Sequence, residues 1–69
     1  MMELSGRNLI PGVVDRVHCG DVVSEVVLEY EGGEITAVIT TNSVRRLRLK
    51  PGVCATALVK ATDVMIIRE

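Results

Sequence analysis

Three short stretches of the chain concentrate hydrogen-bond donors: Ser5-Gly6-Arg7-Asn8, Thr40-Thr41-Asn42-Ser43 and Lys60-Ala61-Thr62. In the first, a hydroxyl, a guanidinium and a carboxamide follow one another with no carboxylate between them. Arginine offers a planar fork of N–H donors and serine a short hydroxyl donor, a combination that suits an oxyanion. The second stretch adds hydroxyls at the expected start of a helix, where backbone N–H groups lack intrahelical partners. The third adds a cation. A tetrahedral dianion has oxygens that only accept, so it needs donors from several sides and few carboxylates nearby. No single stretch supplies enough. Brought together, across a contact between subunits if need be, the three would.

Each stretch also has a plainer use. Ser5 to Asn8 serves as a solvated strand start, Thr40 to Ser43 as a helix cap, and Lys60 as a strand-end lysine in water. Arg45, Arg46, Arg48 and Lys50 form a local basic cluster that reads as a solvated helix face, or as one side of intersubunit ion pairs worth little each. Asp63, beside Thr62, opposes an anion unless it points away.

The elements that would position these donors are short. Val13 to Val17 reads as a first strand, with Pro11-Gly12 marking a bend or an edge ahead of it. After a turn at Cys19-Gly20-Asp21, Val22 to Tyr30 alternates. Val22, Ser24, Val26, Leu28 and Tyr30 form an expected core face, and Val23, Glu25, Val27 and Glu29 a face half covered by a neighbour. Glu31-Gly32-Gly33-Glu34 closes a hairpin to a third strand, Ile35 to Thr40, with Ile35, Ala37 and Ile39 facing inward. Thr41 or Asn42 is expected to cap one short helix, with Val44 and Leu47 on one face and Lys50-Pro51-Gly52 at its end. A fourth strand follows over Val53 to Lys60. The fifth, Asp63 to Ile67, has no polar face and predicts burial on both sides. Five strands with one helix between the third and fourth is the element order of an all-β, OB-like barrel.

The whole-chain properties narrow the function. Residues 1–69 are expected to form one domain. A chain this short buries only roughly 60% of its unfolded surface. Yet 48% of its residues are apolar and Tyr30 is the only aromatic one. That is more aliphatic surface than one small barrel hides, which predicts a homo-oligomer. The net charge of −1 leaves no basic footprint for nucleic acid, and a lone aromatic ring offers no stacking platform. No apolar run approaches the ~20 residues of a membrane span. Met1-Met2-Glu3-Leu4 has neither the basic nor the apolar region of a signal peptide, so the cytoplasm is the expected compartment. Cys19 and Cys54 are the only cysteines, expected as free thiols. With His18 they match no zinc spacing, and no protein-ligated metal ion is expected. The single histidine has no evident nucleophile or orienting partner, which argues against an enzyme.

Taken in register, these residues resemble a known family. Ser5-x-Arg7-Asn8 with Gly12, Ala37-Val38-Ile39-Thr40 followed by Ser43-Val44, and Val59-Lys60-Ala61-Thr62-Asp63-Val64-Met65-Ile66 look like the molbindins, the Mop-type molybdate-binding domains of the TOBE class. The match is collinear over nearly the whole chain. The resemblance implies an OB-like barrel and a cytoplasmic protein that binds molybdate or tungstate, for storage or homeostasis, without an organic cofactor. It implies a homohexamer built as a trimer of dimers, with the dianion between subunits. Ser5, Arg7, Thr40, Ser43, Lys60 and Ala61 would then be the oxyanion-binding residues. The turn Gly20, Asp21 and Val22 would line a second oxyanion site, mainly through backbone N–H groups. Ala61 stands where many members have Ser, leaving a backbone N–H in place of a hydroxyl. His18-Cys19 stands where basic residues are frequent, and Val23 where Asn is common. The resemblance also includes accessory modules that sense molybdate and dock on a transporter or regulator, which is the alternative reading.

Overall fold

The computed structural model describes residues 8–68. Strands β1 (Asn8–Cys19), β2 (Val23–Tyr30) and β3 (Gly33–Thr40) lead into helix α1 (Thr41–Leu47), strand β4 (Cys54–Val59) and a single 3-10 turn (Ala61–Asp63). The four strands form one antiparallel sheet in the order β3-β2-β1-β4. β1 serves two partners: Asn8 to Val13 pair with β4, and Val13 to Cys19 pair with β2. The register shifts between Val14 and Arg16, so Asp15 is bulged out just past the hand-over. A bulge bends its strand and increases the local twist. The sheet curls accordingly. Ile35 on one edge strand and Val59 on the other line a common cavity. A groove of about 480 Å³ runs between β3 and β4.

β1 starts five residues earlier than its sequence suggests. Pro11 and Gly12 look like breakers, but both lie in the strand, opposite Thr56 and Ala55. Pro11 sits where β1 has only β4 beside it, so its missing N–H has an open side to face. Gly12 is required by close approach: a Cβ there would lie 2.5 Å from the backbone oxygen of Glu29. Both neighbours of that contact are backbone and cannot swing away. Gly12→Ala is therefore expected to destabilise the protein by about 1–3 kcal/mol. In urea unfolding at fixed protein concentration the midpoint should fall while the slope stays constant; an unmoved midpoint would contradict the close approach.

The core lies on the concave side of the sheet. Val14, Val26, Leu28 and Val44 are buried, and Val17, Ile35, Ile39, Leu49, Val53, Ala55 and Ala57 pack against them. The alternation expected of β2 holds for Ser24, Val26 and Leu28. Val22 does not belong to it. It precedes the strand, in the turn, and is 74% exposed. Val27, expected on a half-covered face, is buried. Past the bulge Arg16 stands opposite Val27, and its guanidinium reaches across β2 to Glu34 on β3 at 3.3 Å while also pairing with Asp15. That bridge roofs the outer face at Val27.

The helix begins one residue earlier than expected, with Thr40 as its cap. Thr40 keeps an extended backbone, and its hydroxyl oxygen accepts from the Ser43 N–H at 3.1 Å. The helix stops at Arg48, which adopts the left-handed conformation at φ 54°, and the N–H groups of Arg48 and Leu49 close back on the carbonyls of Arg45 and Val44. The expected stop at Lys50-Pro51-Gly52 is thus late by two residues. Leu47 falls on the last turn and is exposed, and Leu49 takes the core position in its place.

The expected fifth strand is not formed. Val64 to Arg68 pair with no strand, and Met65, Ile66 and Ile67 are 92%, 90% and 88% exposed. The apolar run predicts burial on both sides, but the described residues of one chain offer it no second layer and no strand to lie beside.

Candidate oxyanion site

Of the expected donors, Ser5 and Arg7 lie outside the described residues. Arg7 is bonded directly to Asn8, which opens β1 opposite Val59 and donates from Nδ2 to the Val59 carbonyl at 3.1 Å. The next residue along, Lys60, leaves β4 in an extended conformation and starts the 3-10 turn. Its side chain caps nothing and makes no ion pair among the described residues. Ala61 follows as the first residue of that turn, and its carbonyl accepts from the Val64 N–H. Lys60 and Ala61 are thus held at the end of the sheet where β1 begins.

Thr40 and Ser43 stand at the other end. Their hydroxyl oxygens are 2.7 Å apart, with Thr40 Oγ1 donating to Ser43 Oγ and accepting from the Ser43 N–H. Thr40 has therefore spent its hydrogen, and the hydroxyl hydrogen of Ser43 is the one left to offer outward. Beside this pair lies the turn Gly20–Val22. Val23, the residue after it, is opposite Thr40 in register, and the Thr41 N–H donates to the Val22 carbonyl at 2.8 Å. Within the turn, Gly20 N–H is already given to the Val23 carbonyl at 3.0 Å. The N–H groups of Asp21 and Val22 reach no backbone carbonyl among the described residues. Gly20 admits no side chain, since a Cβ would meet the Val23 oxygen at 2.5 Å.

The structure thus unites Thr40 and Ser43 with the Gly20 turn, and keeps Lys60 and Ala61 apart from both. Ile35 shares a cavity with Val59, and Thr40 lies five residues further along β3. At about 3.3 Å per residue that is roughly 17 Å, several times the span of a tetrahedral oxyanion. One chain cannot close all these donors on one ion.

Sequence reasoning passed over two residues. The sequence puts Ser24 on the core face of β2 without a partner, and Thr41 in the second donor stretch and among the candidate caps, but does not pair them. They are the buried polar side chains among the described residues, and their hydroxyls lie 2.7 Å apart. A serine between Val22 and Val26 on a core face was the available signal, because a buried hydroxyl has to find a partner. The cysteines make no joint site. Cys54 stands opposite Val13, six residues along β1 from Cys19. No group of three metal-ligating side chains occurs among the described residues. Nor is any described helix long and apolar enough to cross a membrane.

A curled antiparallel sheet with one short helix before its last strand places the molecule in the OB-like class of small barrels. The chain belongs to the TOBE domain family, whose pattern matches residues 4–66. It is 48% identical over 67 residues to molybdenum-pterin-binding protein 2 of Clostridium pasteurianum, covering 96% of this chain and 98% of that one. Among solved structures it is similar to a molybdate-binding protein from Sporomusa ovata, at 42% identity and a TM-score of 0.93, over 97% of this chain and all of the other. It is also similar to the cytoplasmic molybdate-binding protein ModG, solved with molybdate bound, at 44% identity and a TM-score of 0.83, over 87% of this chain and 43% of that one.

Proposed function

We propose that the protein binds molybdate or tungstate reversibly between copies of its own chain, as a cytoplasmic store that buffers the free dianion. The observation that carries this reading is the division of the donors between two ends of the sheet. Thr40 and Ser43 occupy one end, and Lys60 and Ala61 the other, next to the start of β1. Relatives named for molybdenum or molybdate, one of them described as cytoplasmic, supply the identity of the ion.

In a complete site Arg7 and Lys60 supply positive charge, Ser5 and Ser43 supply hydroxyl donors, Thr40 holds the Ser43 hydroxyl in place, and Ala61 supplies its backbone N–H. Charge-assisted hydrogen bonds are about twice as strong as neutral ones, and exclusion of water between subunits strengthens them further. The turn Gly20, Asp21 and Val22 forms a second, weaker site, in which the Asp21 carboxylate opposes the charge that its own N–H attracts. Sulfate shares the shape and charge of molybdate, so selection between them falls to the size of the cavity. The reading requires no covalent chemistry and no organic cofactor, in keeping with relatives described as binding proteins.

The assembly is a homo-oligomer, a hexamer arranged as a trimer of dimers. Its support is the apolar segment Val64 to Ile67, which the chain exposes, together with the groove it leaves open between β3 and β4. An exposed apolar segment and a sheet with free edges occur in the same chain, so two copies complement each other. Native mass spectrometry tests both parts. A hexamer that gains several molybdate masses and ignores excess sulfate is the expected result. A monomer or dimer that gains nothing refutes the reading.

A further inference from the structure

We propose that Thr41 is a positioning residue that decides whether the Gly20–Asp21 peptide presents a donor or an acceptor to an oxyanion at the turn before β2. The inference rests on the oxyanion reading above and deepens its second site.

The direction of each hydrogen bond around Thr41 follows from counting hydrogens. Thr41 Oγ1 lies 2.7 Å from the Gly20 carbonyl oxygen, which can only accept. The single hydroxyl hydrogen of Thr41 therefore goes to Gly20. Ser24 Oγ, 2.7 Å from Thr41 Oγ1, must then be the donor of that pair. The Thr41 N–H meanwhile donates to the Val22 carbonyl at 2.8 Å. One residue thus takes up the carbonyls on both sides of Asp21. Ser24 and Thr41 are 2% and 4% exposed, so water does not compete for these bonds.

The consequence comes from the planarity of the peptide. In a trans peptide the C=O and the following N–H point in opposite directions. With the Gly20 oxygen held by Thr41, the Asp21 N–H is turned away from α1, and it meets no backbone acceptor among the described residues. Turning this peptide over rotates ψ of Gly20, which has no Cβ to resist it, and φ of Asp21, a residue type that enters the left-handed region more readily than most. Turned over, the plane would set a carbonyl oxygen where the N–H had been, and a dianion would meet an acceptor. The Thr41 hydroxyl holds the plane donor-side out. Because Thr41 directly follows Thr40, the turn and the Thr40–Ser43 hydroxyl pair are tied through this one residue.

The test is an amide NMR titration of 15N-labelled protein with molybdate, comparing wild type with Thr41→Val, which keeps the shape without the hydroxyl, and Thr41→Ser, which keeps the hydroxyl. In wild type and Thr41→Ser the Asp21 amide should shift and saturate. In Thr41→Val that response should disappear and affinity at the turn should fall about tenfold, while Thr40 and Ser43 still respond. Thr41→Val strands the buried Ser24 hydroxyl, so Ser24→Ala/Thr41→Val is made as well. It removes both hydroxyls and should behave like Thr41→Val. The proposal is overturned if the Asp21 amide ignores molybdate in wild type while Thr40 and Ser43 respond. It is also overturned if Thr41→Val retains the Asp21 response, or if Thr41→Ser loses it. A wild type in which no amide responds refutes the oxyanion reading itself, a distinct result.

Discussion

Ile66→Asp/Ile67→Asp is expected to dissociate the proposed assembly and to remove molybdate binding, while the four-stranded sheet persists. In the isolated chain both isoleucines are about nine-tenths exposed, so no contact within the chain is lost. The core of Val14, Val26, Leu28 and Val44 is drawn from the chain's own β1, β2 and α1. The effect appears only where a second copy covers the segment. Burying an isoleucine contributes about 1.5–3 kcal/mol, and a twofold contact contains each residue twice. Four isoleucines then amount to about 6 kcal/mol or more, over four decades in dissociation constant, before the penalty of placing carboxylates in an apolar groove. Sedimentation velocity reads the assembly state and titration calorimetry the binding. Ile66→Val/Ile67→Val, which keeps the apolar character, should remain assembled and bind. An aspartate variant that still sediments as a hexamer and holds molybdate would remove this segment from the interface.

The same segment marks where sequence reasoning reached its limit. An unbroken run such as Val64-Met65-Ile66-Ile67 states that the residues want burial, but not which chain buries them. Alternation in β2 was more informative, because a strand with one wet face declares its other face, and Ser24, Val26 and Leu28 are buried as that pattern requires. It misses the burial of Val27, which stands opposite Arg16 on the face where Arg16 reaches Glu34 from two strands away. No local pattern carries that contact. β1 was underestimated because Pro11 and Gly12 are breakers by type, whereas their use here depends on an absent neighbour and on a close approach to Glu29. The donor stretches were legible by residue type. Their division between the two ends of the sheet was not, since it follows from the register of β1 with β4 on one half and with β2 on the other. The pairing of Ser24 with Thr41 spans a whole hairpin and becomes visible only once that hairpin is built.

That division yields the second large effect. Lys60→Ala alone and Thr40→Ala/Ser43→Ala alone should each weaken molybdate binding by about tenfold to a hundredfold, through loss of a charge-assisted bond in one case and of the Ser43 hydroxyl donor with the Thr40 that orients it in the other. Lys60 caps nothing, whereas Thr40→Ala also removes the cap of α1, at a cost of about 0.5–2 kcal/mol in stability, so binding by that variant is compared where it is fully folded. Mixing the two variants, by unfolding and refolding them together in equal amounts, should restore strong binding at about a quarter of the sites. A site that takes its Lys60 from one copy and its Thr40 and Ser43 from another, as proposed, has both copies intact in one of four random pairings. A site assembled within one chain predicts no recovery, because every chain in the mixture lacks one half. Recovery of about a quarter of the tight sites, against none when each variant is refolded alone, is therefore a positive signal that the donors at the two ends of the sheet meet across a subunit boundary. No recovery, with mixed oligomers confirmed by mass, would overturn the proposal that Lys60 meets Thr40 and Ser43 across a subunit boundary.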